Sequence, residues 1–157
     1  MMDLRKFAIA ALAGGLLAGS FDLTYACVWL AMNDRSPLWT LQSVASGWLG
    51  RAAFTGGVEA GALGFVSHMG ISIVAAALYG LANAHLAGMR RHWIVCGALF
   101  GMLVYLFMNF VVMPLSNAPF TVPTSPRSFA QGFASHSLLF GIPIAWAARR
   151  WGAWRAS

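Results

Sequence analysis

The residues in this chain best suited to chemistry are two histidines, an aspartate and an asparagine set in apolar sequence. Ala62-Leu63-Gly64-Phe65-Val66-Ser67-His68 recurs as Ala130-Gln131-Gly132-Phe133-Ala134-Ser135-His136, with five identities in seven positions. Each copy puts a histidine inside a stretch apolar enough to lie in lipid, and Asp22 and Asn109 are placed in the same way. An ionisable group at that depth is costly unless something pairs with it, so it points to function by default. Three chemistries follow. Asp22, His68, Asn109 and His136 could bind or pass a small polar ligand, a cation or a proton, with Tyr25 and Tyr105 beside them. Imidazole suits the proton reading, because its reference pKa is about 6.5. Alternatively His68 and His136 are the two axial ligands of a b-type haem held between helices. In the third reading His68, His136 and Asp22 ligate a metal ion, since histidine with carboxylate suits zinc, copper, iron or nickel. The plain alternative is a structural or accessory subunit of a membrane complex, whose layer is a hydrogen-bonded clamp between helices at about 0.6 kcal/mol per bond.

An intramembrane hydrolase is a weaker reading, open only through a Ser67–His136 cross-pair. Ser67 and Ser135 each precede a histidine, but neighbours on a helix point about 100° apart, so neither pair can serve as its own nucleophile and base.

The elements that must position these residues are membrane helices. Of the 157 residues, 59% are hydrophobic and 9% charged, against about 25% charged in a soluble domain. No Asp, Glu, Lys or Arg occurs between Glu59 and Arg90, between Arg91 and Arg127, or between Arg127 and Arg149, and Asp22 is the one charge from Phe7 to Met32. A crossing needs roughly 20 apolar residues, which gives four transmembrane helices at about 7–32, 60–86, 93–115 and 128–148. The expected fold is an all-α membrane protein: one four-helix transmembrane domain, residues 1–157, with an outer amphipathic interfacial helix. The N-terminal run resembles a signal peptide, but it continues past a short apolar region to Met32, so a retained helix is expected. The net charge of +6 is spread over segment ends, which argues against nucleic acid.

Basic residues mark the cytoplasmic side. Arg5, Lys6, Arg90, Arg91, Arg149, Arg150 and Arg155 fall on one side, and Arg35, Arg51 and Arg127 on the other. Both termini are therefore expected in the cytoplasm. Trp39, Trp48, Trp93, Trp151 and Trp154 fall near the interfaces that aromatic rings favour. In the first outer loop Ser36-Pro37 is a helix start. Leu41, Val44, Ala45, Trp48, Leu49 and Ala52 then recur at helical spacing opposite Gln42, Ser43, Ser46, Gly50 and Arg51. This predicts a helix over about 37–54, lying on the membrane surface or folded over the mouth of the bundle. The second outer loop carries Pro114, Pro119, Pro123 and Pro126 and is expected to be extended. A tight inner turn is expected around Gly88 to Arg91.

Small residues allow close packing in lipid. Gly15, Ala18, Gly19, Asp22 and Ala26 share a face of helix 1, Gly61, Gly64 and His68 a face of helix 2, and Gly97 and Gly101 a face of helix 3. Pro143 should kink helix 4 near the carbonyl of Leu139. Counted from the outward helix ends, Asp22, His68, Asn109 and His136 lie at one level, roughly 9–15 Å deep. Cys27 and Cys96 fall at opposite faces, so no disulfide is expected.

From Leu41 to Gly57 and from Val104 to Ser116 the chain resembles a family of conserved hypothetical bacterial four-helix inner-membrane proteins. The resemblance extends over nearly the whole chain. It implies four membrane helices in a bacterial inner membrane, and no particular reaction, cofactor or partner. The expected surroundings are the lipid bilayer and, because four helices make a thin bundle, a homo-oligomer or larger membrane complex.

Overall fold

The computed structural model describes residues 3–121 and 125–152, and every regular element among them is helical. Pro123, Trp154 and Arg155, which entered the sequence reading, lie outside the described residues. The elements are α1 (Leu4–Ala31), α2 (Pro37–Leu49), a 3₁₀ turn (Gly50–Phe54), α3 (Gly57–His85), the one-turn α4 (Ala87–Arg91) and α5 (Trp93–Phe107). A π segment (Met108–Val112) leads into α6 (Met113–Leu115). Then follow α7 (Pro126–Ser135), a second π segment (His136–Gly141) and α8 (Ile142–Trp151). Three helices are long and apolar enough to cross a membrane: Leu4–Ala31, Gly57–His85 and Trp93–Leu115. The fourth expected crossing is helical from Pro126 to Trp151 but divided by the second π segment.

Local chemistry sets the helix ends. Asp3 accepts from the backbone N–H of Arg5 and Lys6, which starts α1 earlier than expected. Ser36 caps α2 by accepting from Trp39 N–H at 3.1 Å, with Pro37 at the first position. Ser125-Pro126 repeats the device for α7, where Ser125 accepts from Ser128 N–H at 3.1 Å. Gly50 ends α2 at φ 58°, a left-handed conformation that costs glycine nothing. Arg90 donates to the carbonyl of Asn83 at 3.2 Å and so closes the end of α3.

The two π segments have a common cause. Each ends two residues before a proline, Pro114 or Pro143. A proline ring collides with the carbonyl four residues back. Widening the turn removes the collision: Met113 N–H bonds to Met108 O and Ile142 N–H to Ser137 O, five residues back in both cases. The kink expected at Pro143 is therefore a π turn, and His136 is its first residue.

α1 packs along α3 and α8, while α5 packs on the second π segment and α8. Glycines set these approaches. A Cβ on Gly15 would meet the backbone of Ile73, and one on Gly19 would lie 2.8 Å from Ser72 Oγ. A Cβ on Gly101 would overlap the carbonyl of His136, and one on Gly141 the carbonyl of Gly97. At the end distant from α2, Ala18, Ala76, Tyr79, Phe140, Ile144 and Ala145 form the core. There Tyr79 meets Phe100 edge-on at 5.1 Å, which joins α3 to α5.

α2 lies across α3 and reaches α1. The face turned inward carries Thr40, Gln42, Ala45 and Ser46. Trp48 and Leu49, assigned above to the apolar side, are exposed. The helix thus turns Gln42, Ala45 and Ser46 to the bundle and leaves Trp48 and Leu49 exposed. Gln42 donates to Gly57 O at 3.0 Å, and the Ser43 and Ser46 hydroxyls donate to carbonyls of their own helix, so the buried polar groups are satisfied. The expected inner turn at Gly88–Arg91 is part of α4.

Two glycine substitutions separate packing from propensity. Gly101→Ala should lower the thermal midpoint in detergent, at a cost of about 1–3 kcal/mol, because its Cβ has no room. Gly70→Ala, on α3 with nothing within 4 Å, should raise it by about 0.5–1 kcal/mol through helix propensity. Thermal unfolding of the two variants beside wild type checks both signs.

Candidate functional site

Asp22 on α1 is the hub. Its Oδ2 lies 4.0 Å from His68 Nε2 on α3, and its Oδ1 lies 3.7 Å from His136 Nδ1 on the second π segment. Three separate elements thus bring their ionisable groups to one point. Asp22 is 8% exposed, and what remains open faces a cavity.

The histidine tautomers follow from their carbonyl partners. His68 Nε2 is 3.0 Å from Gly19 O, and His136 Nδ1 is 3.1 Å from Gly132 O. A carbonyl only accepts, so both of these nitrogens carry hydrogen and donate. In the neutral rings, His68 Nδ1 and His136 Nε2 are then lone-pair acceptors. The Asp22 carboxylate itself accepts no hydrogen bond among the described residues; the two ring nitrogens are its charge-pairing neighbours at longer range.

The repeated motif has a structural meaning. In both copies a glycine stands four residues before the histidine and admits a close neighbour. A Cβ on Gly64 would overlap the Leu41 carbonyl of α2, and one on Gly132 would overlap the Tyr105 ring. The serine before each histidine is also engaged: Ser67 Oγ accepts from Trp48 Nε1 at 3.1 Å, and Ser135 Oγ donates to Gly132 O at 3.1 Å.

Above the Asp22 layer α3 and α5 stand apart and leave a cavity of about 640 Å³. Its floor is Asp22, His68 and His136, and apolar side chains such as Ile71, Val104 and Met108 line its sides. α2 and the segment after α6 form the roof. Asn117 ties the two together: its N–H donates to Gly47 O and its Nδ2 to Trp48 O, both at 3.0 Å. Trp39, Phe54 and Phe120 cluster over the same junction at 5.4–5.9 Å, with the Arg35 guanidinium 4.8 Å from the Trp39 ring.

Not every expected residue joins this site. Asn109 does not: its Nδ2 donates to Tyr105 O at 2.9 Å, so the amide is consumed by its own helix where the π segment begins. Tyr25 points elsewhere, accepting from Gln131 Nε2 at 3.0 Å and linking α1 to α7. Tyr105 packs its ring edge-on against His136 at 5.2 Å, and its buried hydroxyl makes no hydrogen bond among the described residues. Thr24, placed at this level from the sequence, is exposed. Ser72 was overlooked, although it is buried against Gly19 and donates to His68 O at 2.8 Å. Its position four residues after His68 was the available signal. Trp48 and Asn117 lie too far along the chain for any spacing rule to reveal.

The metal reading loses its geometry. Among the described residues no three His, Cys, Asp or Glu side chains are grouped to hold a metal ion, and Asp22 turns a different oxygen to each histidine. His68 Nε2 and His136 Nδ1 are bonded to Gly19 O and Gly132 O, so a haem reading would have to use the other nitrogen of each ring. Cys27 and Cys96 are free thiols, as expected. No family model, curated protein or solved structure matches this chain.

The Asn117 tie should control entry to the cavity. With Cys27 and Cys96 replaced by alanine, Ser43→Cys places a thiol on the cavity wall. Adding Asn117→Ala removes one hydrogen bond, worth about 1 kcal/mol, and should speed labelling by a small polar thiol reagent roughly fivefold. Equal labelling rates would show that the roof is held by other contacts.

Proposed function

We propose that this is a multi-pass membrane protein whose Asp22–His68–His136 layer binds, or passes, a small ligand or ion entering from the α2 end. One observation carries the reading: a carboxylate 8% exposed, with no hydrogen bond among the described residues, faces a 640 Å³ cavity between helices. Ligand sites of about 300–1,000 Å³ are mostly apolar with a few convergent polar groups, and this cavity has that make-up. A clamp built for stability would satisfy its carboxylate with direct bonds.

In this proposal the helix Pro126–Trp151 is the fourth crossing, α2 lies over the outer mouth, and both termini are cytoplasmic. The end opposite the cavity carries Arg5, Lys6, Arg90, Arg91, Arg149 and Arg150, which suits a cytoplasmic surface. A bacterial inner membrane is the setting that the resemblance implies.

Stability separates a binding site from a clamp. A buried carboxylate without direct hydrogen bonds costs stability, and a neutral side chain in its place removes that cost. Asp22→Asn and Asp22→Leu should therefore unfold in detergent at the wild-type temperature or above it. A fall of several degrees in both would make the layer a structural lock and remove the functional reading.

A further inference from the structure

The binding proposal leaves the class of ligand open, and the chemistry of the cavity narrows it. We infer that the site takes a monovalent organic cation, a protonated amine head on a compact apolar or aromatic body. This inference rests on the binding reading and deepens it.

The floor is rich in acceptors. Among the described residues Asp22 is the one carboxylate in the cavity lining, and it accepts no hydrogen bond. His68 and His136 spend their N–H groups on Gly19 O and Gly132 O, so the nitrogens they have left are acceptors in the neutral rings. A carboxylate that accepts no hydrogen bond among the described residues calls for a ligand that donates, and its formal negative charge calls for a positive one. An ammonium group offers three N–H donors and one charge.

The walls exclude the simpler cations. A bare divalent ion takes about six or more oxygen ligands. Among the described residues the lining offers a single carboxylate for such an ion. Most of the remaining lining is apolar, and 640 Å³ far exceeds what an ion or a proton requires. Trp48, Phe120 and Phe140 stand around the cavity and can receive either an aromatic body or the face of a cation. An anionic ligand would meet Asp22 with no Lys or Arg in the lining to offset it.

The test uses three probes of one shape: phenethylammonium, phenethyl alcohol and hydrocinnamate. Binding is measured by calorimetry on the full chain in nanodiscs, with empty nanodiscs subtracted. Phenethylammonium should bind about tenfold or more tighter than the alcohol, and hydrocinnamate weakest. Asp22→Asn should erase the preference, and Asp22→Glu should keep it. Val44→Trp, which fills the cavity from α2 without touching the floor, should abolish binding of all three. Equal binding of amine and alcohol, both lost in Val44→Trp, would overturn the cation inference while sustaining the binding site. Tighter binding of hydrocinnamate would overturn it as well. No saturable binding of any probe, or binding unchanged in Val44→Trp, would overturn the inference, and with it the cavity as a site for ligands of this size.

Discussion

A carboxylate held among apolar helices is the constraint around which this molecule is organised. Charge in a medium of low dielectric is expensive, and its cost falls only if opposite or polarisable partners are brought close. Asp22 has two such partners, His68 and His136, from separate parts of the chain. To deliver them, α1 must approach both α3 and the π segment after α7. Gly15 and Gly19 permit the first approach, where a side chain would strike Ile73 or Ser72. α5 in turn must hold the π segment in place, and Gly101 lets it lie directly on the His136 carbonyl. The small residues of this bundle are thus placed where the polar layer needs backbones close together.

The prolines contribute by a different route. Pro143 would break a regular α-helix through the layer. The chain instead widens the preceding turn, and the widened turn begins at His136. The same solution before Pro114 draws in Asn109, whose amide bonds the Tyr105 carbonyl just ahead of the π segment. One proline-driven distortion therefore carries a residue of the site, and the other takes a candidate out of it. Both keep the backbone bonded, which matters where no water can replace a lost hydrogen bond.

Much of this was legible in the sequence. Charge-free tracts located the long helices, Ser36-Pro37 located the start of α2, and the repeated Gly-x-x-Ser-His pattern found both histidines. Counting depth from helix ends correctly grouped Asp22 with them. Depth says nothing of direction, however, so Tyr25 and Asn109 were grouped too, although one bonds Gln131 and the other its own helix. Which side of α2 meets the bundle is not set by spacing either: the helix buries Gln42 and Ser46, whose donors are satisfied by the carbonyls of Gly57 and Ser43. The cavity itself depends on α3 and α5 parting above Tyr79 and Phe100, a tertiary outcome that no local spacing encodes.

The central claim is that one aspartate is shared by histidines from two other elements. Solid-state NMR on lipid-embedded protein, labelled at the Asp22 carboxyl carbon and at the histidine ring nitrogens, tests it directly. The account predicts dipolar contacts from that carbon to both rings, in keeping with 4.0 Å to His68 and 3.7 Å to His136. Contact with one ring alone, or with neither, would contradict it.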